Sequence, residues 1–339
     1  MNRLTRRQFI HTTGFTLGGL LAGGLHSTGC TTSPEKTLSN LIIQAPASLP
    51  SVALARLVHD NAFTGLAEST EFMLWKTPDE MRARITSGQA HISGLPVNVA
   101  ATLYNKGLPV QLVSVYIWGI LYLVTADPAI QSWDDLRGKE LLIPFKGDSP
   151  DIVTQLLLRH NGIGLGRDVD VRYVSAATEA ASLLATGDAR HAILSEPSAT
   201  VAFLKAKEAG APLYRAIDMQ ASWATATGQP PRLPMAGVVI LPDLVETYPE
   251  VVERLQTGFK EAVDWVNDDA TGAASLGAAY IPSMPEAAMA QSLAHTRLEF
   301  TLATESRPEI EFLFNQLAEL SPALFGGELP GDDFYYAGE

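Results

Sequence analysis

Residues 140–160 read ELLIPFKGDSPDIVTQLLLRH, and they set the fold. Glu140 to Pro144 is a short β-rich run and Pro150 to His160 an amphipathic helix, joined through the turn Gly147-Asp148-Ser149-Pro150. The unit repeats downstream, with strand Val169 to Val174 before helix Ala176 to Ala185, then strand His191 to Ser195 before helix Ser198 to Glu208. Strands alternating with helices in this way predict a mainly parallel sheet flanked by helices. Toward the N-terminus the same rhythm recurs. Leu41-Ile42-Ile43, Glu71 to Trp75, Ala90 to Ser93 and Val110 to Val115 read as strands, with helices over Val52 to Phe63, from Pro78, and over Val97 to Asn105. Thr77 caps the second of these helices, with Pro78 at its first position and Asp79 and Glu80 in the first turn, where the helix dipole favours acids.

Two stretches break the rhythm. Ala126-Asp127-Pro128 and the charged turn Trp133 to Lys139 follow Leu121-Tyr122-Leu123-Val124, which predicts a crossing into a second lobe. The Pro-rich segment Gly228 to Pro234 precedes a further β run, Gly237 to Leu241, and predicts the return. From Pro249 onward the sequence reads as nearly all helical, with Val252, Leu255, Phe259, Val263 and Val266 on one face that should pack on the first lobe. The expected architecture is α/β and two-lobed, with residues 40–125 and 236–339 in one lobe, 126–235 in the other, and two hinge crossings between them. Ser87-Gly88-Gln89-Ala90-His91-Ile92 and Thr186-Gly187-Asp188-Ala189-Arg190-His191 both end a helix on Gly and lead into a strand, as duplicated lobes would.

With 339 residues the chain has room for two such lobes. Its 24 Lys and Arg against 37 Asp and Glu give a net charge of -13, the wrong sign for nucleic acid. The single cysteine, Cys30, excludes an internal disulfide framework and a thiolate metal cluster. It closes a stretch of another kind. Residues 1–29 contain Arg3, Arg6 and Arg7, no acid, and a Gly-rich apolar run from Phe15 to Leu25 that is shorter than the roughly 20 residues a spanning helix needs. This is a signal-peptide pattern. Thr5-Arg6-Arg7-Gln8-Phe9-Ile10 resembles a twin-arginine export signal, and Ser27-Thr28-Gly29-Cys30 resembles the end of a bacterial lipoprotein signal, with Ser27 where Leu is usual. The resemblance implies cleavage before Cys30, a lipid-bearing Cys30 thiol in the membrane, a polar tether over residues 30–39, and a function outside the cytoplasm.

In open α/β sheets ligands bind beyond the carboxyl ends of the strands, so the loops there supply the candidate site. They are Ser48 and Leu49 in the turn Pro46 to Pro50, Trp75, Pro96 with Asn98, Gly147-Asp148-Ser149, and Glu196. Ser149 can cap the following helix, Gly147 can let backbone amides approach a ligand oxygen, and Lys146 can add a positive charge. Glu196, before Pro197, either accepts hydrogen bonds from a ligand or locks the helix start. Near the crossings, Trp118 offers a flat face for a cleft wall, Gly119 leaves room beside it, and Met235 sits at the return hinge; core packing is the competing role for each. Catalytic patterns are missing: no serine elbow, phosphate loop, paired-histidine helix or calcium loop occurs. His59, His91, His160, His191 and His295 lack metal-ligand spacing, and Gly162-Ile163-Gly164-Leu165-Gly166 follows a helix and reads as a turn. No metal or cofactor is expected.

Taken in order, Ser87 to Ile92, Ser132-Trp133-Asp134-Asp135-Leu136-Arg137-Gly138-Lys139, Ala192-Ile193-Leu194-Ser195-Glu196-Pro197 and Tyr248-Pro249-Glu250 resemble the solute-binding receptors of ABC importers. The resemblance is to the group that includes receptors for thiamine pyrimidine precursors, alkanesulfonates, taurine and nitrate, and it covers nearly all of the mature chain. It implies a type II periplasmic binding protein fold, a monomer that traps a small solute between its lobes, permease subunits as partners, and no bond made or broken. No Arg lies in the candidate loops, and Lys146 and Arg232 are the nearby cations, so a small, partly aromatic or heterocyclic solute suits the loops better than an anion. Enzymes of menaquinone or thiamine-pyrimidine synthesis and ligand-sensing receptors share the fold class, and they remain the alternatives.

Overall fold

The computed structural model describes residues 37–338, so the leader, Cys30 and most of the tether lie outside the described residues. The first half runs β1 (Leu41–Pro46), α1 (Val52–His59), β2 (Thr70–Trp75), α2 (Pro78–Thr86), β3 (Ile92–Pro96), α3 (Val97–Asn105) and β4 (Gln111–Gly119). The second runs β5 (Leu121–Thr125), β6 (Glu140–Pro144), α4 (Ser149–His160), β7 (Asp170–Val174), α5 (Ala177–Thr186), β8 (His191–Ser195), α6 (Ser198–Glu208), β9 (Tyr214–Asp218) and α7 (Met219–Thr227). The chain then returns through β10 (Ala236–Ile240), α8 (Pro242–Thr247), α9 (Pro249–Asp268), α10 (Ala270–Tyr280), α11 (Glu286–Ser292), β11 (Arg297–Leu302) and α12 (Ala303–Ala318).

Two sheets result, ordered β11-β4-β10-β3-β1-β2 and β7-β6-β8-β5-β9. They share one plan. From the β2 or β7 edge, each runs second strand, first, third, an antiparallel strand, then the fourth. The antiparallel member is the crossing strand in both cases: β10 arrives from the second half and β5 follows directly on β4. β5 corrects the expected boundary at residue 125, because Leu121–Thr125 pairs with β8 and β9 in the second sheet. The first crossing is therefore at Ile120, and the charged turn at Trp133 to Lys139 lies inside the second half, where Asp135 accepts the amides of Gln131 and Ser132 at 3.0 and 2.8 Å. The body also begins before residue 40. Leu38 is buried and exchanges backbone hydrogen bonds with Leu66 and Glu68.

Local chemistry explains the elements. The Thr77 hydroxyl accepts from the Glu80 amide at 3.2 Å while the Glu80 carboxylate accepts from the Lys76 amide at 2.8 Å, a reciprocal pair that starts α2. Gly187, at φ 84°, ends α5 in the left-handed region that costs a glycine nothing. Along the second sheet, alternate residues go to opposite faces. Leu121, Leu123, Leu141, Ile143 and Ile193 join the main core, whereas Tyr122, Val124, Leu142, Ala192 and Leu194 join a smaller one under α5 and α6. The main core continues into the first half, and the described residues fall in one compact unit. On α9 the side chains of Val252, Leu255, Phe259, Val263 and Val266 are buried, toward α1 and β11.

Four elements depart from the sequence reading. α1 stops at His59, and Phe63 is buried in the turn that follows. β9 and α7 occupy a stretch that carried no assignment, and β11 interrupts the tail expected to be helical, pairing with β4 at the sheet edge.

Candidate functional site

A cavity of about 370 Å³ opens where the carboxyl ends of the two sets of strands face one another. The first half contributes Pro46 to Ser48 after β1, Trp75 and Lys76 after β2, Leu95 and Pro96 on β3, Tyr116 and Ile117 on β4, and Met81 and Val99 from the helices. Phe145 and Asp148 to Pro150 follow β6, Ala176 to Thr178 follow β7, and Ser195 to Ser198 follow β8 in the second half. Ile120, Leu121, Met235 and Ala236 line it at the crossings, with Ser283 and Met284 from the tail. Its wall is mostly carbon.

The corner after β6 is built on strain. Phe145 has φ 57°, a left-handed conformation that costs a non-glycine residue roughly 1–2 kcal/mol. It is held by hydrogen bonds from its own amide to Val174 O at 3.0 Å and from the Asp148 amide to its carbonyl at 2.9 Å. Gly147 then turns the chain, but its amide donates to Asp151 at 2.8 Å, and Gly147 does not line the cavity. The expected amide cradle is thus already occupied. Asp148, not Ser149, takes the N-cap position of α4, and its side chain makes no cap. It instead faces Arg82 of α2 at 3.6 Å, while the Ser149 hydroxyl donates to Asn98 Oδ1 at 3.3 Å. Both contacts join one half to the other. Asn98 supports the site from behind, also donating to Leu324 O at 3.3 Å, and is absent from the lining. Burial pushes the Asp148 carboxyl above its ordinary range, against the pull of Arg82.

Glu196 resolves differently. Its carboxylate accepts from the Thr200 amide and hydroxyl at 3.1 and 2.8 Å and from Arg215 at 2.7 and 3.1 Å, with no exposed side-chain surface. Of its two possible roles, the helix lock is the one its hydrogen bonds fill. Trp75 borders the cavity and donates its indole N–H to Gly94 O at 3.2 Å. Ser48, Pro96 and Met235 also line it, whereas Leu49 is fully buried in the core.

Trp118 and Gly119 lie elsewhere. The Trp118 indole N–H donates to Glu299 O at 2.9 Å, Arg232 stacks 3.6 Å above its ring, and the residue is buried away from the cavity. A side chain at Gly119 would collide with Gln220, whose amide bridges Leu121 N and O at 3.2 Å each, so the glycine makes room for Gln220 and not for a ligand. The expected nearby cations are also committed away from the cavity: Lys146 sits 5.0 Å over the Tyr173 ring and Arg232 pairs with Glu299 and Glu309 at 3.0 Å. Tyr116 and Phe145 went unrecognised. Strict alternation would put Tyr116 and Trp118, two residues apart, on one face of β4; the register shift at Tyr116, where Ala236 pairs with Ile117 but Gly237 with Val115, breaks that rule. Phe145 carried no sequence signal, since left-handed backbone is expected of the glycine two residues later. Among the described residues, no three His, Cys, Asp or Glu side chains gather to hold a metal ion, and no helix is long and apolar enough to cross a membrane.

An ABC transporter protein from Parabacteroides distasonis superposes with a TM-score of 0.72 at 19% identity, over 90% of this chain and all of that one. This chain has the type II periplasmic binding protein fold. The aliphatic sulphonate binding protein SsuA from Escherichia coli aligns with a TM-score of 0.66 at 16% identity over 86% of this chain and 96% of its own. The nitrate-binding protein NrtA from Synechocystis PCC 6803 gives 0.62 at 12% over 84% and 82%. These solved neighbours are the ABC-transporter binding proteins of the group that the sequence motifs resemble, and at such identities the likeness is one of fold. No family model and no curated protein matches the sequence.

Proposed function

We propose that this chain is an extracytoplasmic solute-binding protein that holds a small organic molecule between its two halves and delivers it to an ABC import permease. The observation that carries the reading is the cavity itself. Its lining comes from the strand ends of both sheets, and polar contacts from α2 and α3 reach the corner after β6 beside it. A ligand bound there touches both halves at once, and only contacts that differ between open and closed forms can shift a hinge. The two crossings, at Ile120 and at residues 228–235, are the proposed hinge. The Leu233 and Met235 amides donate to Trp118 O and Ile117 O at 2.8 and 2.9 Å, so the return segment is tied to the end of β4 beside the first crossing and the two would flex together.

Residues 1–29 are the proposed export leader, a diacylated Cys30 the anchor, and residues 31–37 the tether. No chemical step is assigned to the chain. Native mass spectrometry of freshly purified protein, with small-angle scattering before and after ligand removal, tests the reading. A co-purified molecule whose removal expands the particle is the expected result. A compound returned chemically altered, or a particle whose dimensions ignore the ligand, would overturn it. Cys30→Ser should move the protein from the membrane to the soluble fraction.

A further inference from the structure

A second cavity, of about 340 Å³, lies against the opposite face of β5. Leu121 lines the first cavity and its neighbour Tyr122 the second, as alternation along a strand requires. The second half lends it Tyr122 of β5 with Arg215 and Asp218 of β9, and the tail lends His295, Thr296 and Arg297, where β11 begins. Its lining carries two guanidiniums against one carboxylate, in a protein whose net charge is -13.

The guanidiniums keep donors in reserve. Arg215 donates Nε to Glu196 at 3.1 Å and Nη2 to Glu196 and Thr200 at 2.7 and 2.9 Å, which leaves Nη1 without a hydrogen-bond partner among the described residues. Arg297 donates Nη1 to Pro231 O, but its Nη2 meets Asp218 Oδ2 at 3.6 Å, beyond hydrogen-bond reach. Asp218 is occupied elsewhere. Its Oδ1 accepts from the Gln220 and Ala221 amides at 2.9 and 3.1 Å, as the N-cap of α7, and from Gln220 Nε2 at 2.8 Å.

His295 adds a third donor. Its ring stands edge-on to Tyr122 with centroids 6.0 Å apart, fixed by the Tyr122 hydroxyl, which donates to His295 O at 2.8 Å. Burial and then the Arg215 charge hold its pKa below the ordinary value, against the pull of Glu196 and Asp218. At neutral pH the ring is therefore uncharged, with one N–H to give.

Spare guanidinium N–H groups around a polar cavity suit the paired oxygens of a carboxylate or phosphate. We propose that this cavity is a second ligand site, for a small oxyanion held between Arg215 and Arg297 with the His295 ring beside it. The two cavities share no lining residue, and the site goes beyond the solute-binding reading without depending on it. An anion there touches both halves next to the first crossing, since Arg215 belongs to the second sheet and Arg297 pairs with Gly119 at the end of β4. Asp218 limits the affinity, because it faces Arg297 and repels the guest.

NMR of the histidine ring protons tests this, with inorganic phosphate titrated into the purified protein at fixed pH and at an ionic strength balanced with sodium chloride. The His295 signals, assigned by their loss in His295→Gln, should move saturably in the millimolar range. Arg297→Gln should weaken binding about tenfold, or by about 1.4 kcal/mol. Asp218→Asn, which keeps a side-chain oxygen at the N-cap, should strengthen it several-fold. Arg297 is exposed and Asn caps helices well, so both variants should keep the wild-type positions of the other histidine signals.

His295 signals that do not move, or that sodium chloride moves equally, would overturn the site. Equal affinity in wild type and Arg297→Gln, or weaker binding in Asp218→Asn, would overturn the placement of the anion between the guanidiniums.

Discussion

Asp148 and Glu196 stand at the carboxyl ends of β6 and β8, adjacent strands of one sheet, each at a corner that leads through a proline into a helix. Their surroundings make them different devices. Glu196 finds both partners in its own half, Arg215 on β9 and Thr200 on α6. Asp148 finds Arg82 on α2, in the other half. A carboxylate satisfied locally contributes the same in every arrangement of the halves, whereas one satisfied across the cavity contributes only when they are together. Similar strand-turn-helix corners therefore serve one half's stability in one place and, under the proposed hinge, the joining of the halves in the other, according to what the neighbouring strand or the facing helix brings.

Removing the local pair should have the largest effect. Glu196→Ala leaves Arg215, only 21% exposed, without its carboxylate, and breaking a buried pair from one side typically costs about 3–5 kcal/mol. Urea unfolding should show a loss toward the lower end of that range because Arg215 retains some water. Glu196→Ala with Arg215→Ala should recover part of it. A loss under about 1 kcal/mol in the single variant would mean that Glu196 does not lock α6.

The Asp148 corner should respond in the opposite sense when its strain is released. Phe145→Gly removes a left-handed φ that costs roughly 1–2 kcal/mol, offset in part by the greater freedom of glycine in the unfolded chain. Stability should stay within about 1 kcal/mol of wild type. The aromatic wall goes with the side chain, so affinity for the cavity's ligand should fall about tenfold, or about 1.4 kcal/mol. A variant that is destabilised by several kcal/mol yet binds normally would place Phe145 in the core and not in the site.

The two acids also show what was legible in advance. Alternating β runs and amphipathic helices gave the layered α/β plan, and the loops beyond the strand ends enclose the cavity, because backbone periodicity is written locally. Which half an element joins is not. Leu121-Tyr122-Leu123-Val124 is apolar enough for either sheet, and only its antiparallel partners β8 and β9 assign it. Side-chain partners are equally nonlocal: Arg215 sits 19 residues from Glu196, and the carbonyl that takes the Trp118 N–H sits 181 residues away on β11. A tryptophan beside a glycine at a crossing suits a cleft wall and a packed core equally well, and the sequence does not decide between them. Long-range packing by Arg232 and Glu299 claimed its face and its edge.

The smallest effect should come from the cross-half pair, and it should depend on pH. Asp148 and Arg82 side chains are 19% and 39% exposed, so solvent limits their mutual worth to well under about 1 kcal/mol. Burial is the largest influence on Asp148 and raises its folded pKa; Asp79 and Asp151 add to the rise and Arg82 opposes it. A carboxyl that binds its proton more tightly when folded gives the folded state an advantage at acid pH, and that advantage is lost as pH rises through the raised pKa. Wild type should therefore lose stability relative to Asp148→Asn as pH climbs from about 3.8 toward neutrality. Arg82→Gln removes the opposing charge, so its own decline against the double variant with Asp148→Asn should be larger and shifted to higher pH. A difference between wild type and Asp148→Asn that stays flat in urea unfolding from pH 4 to 7 would show that the carboxyl is not desolvated in the folded chain, and Asp148 would then be a solvated side chain with no part in holding the two halves together.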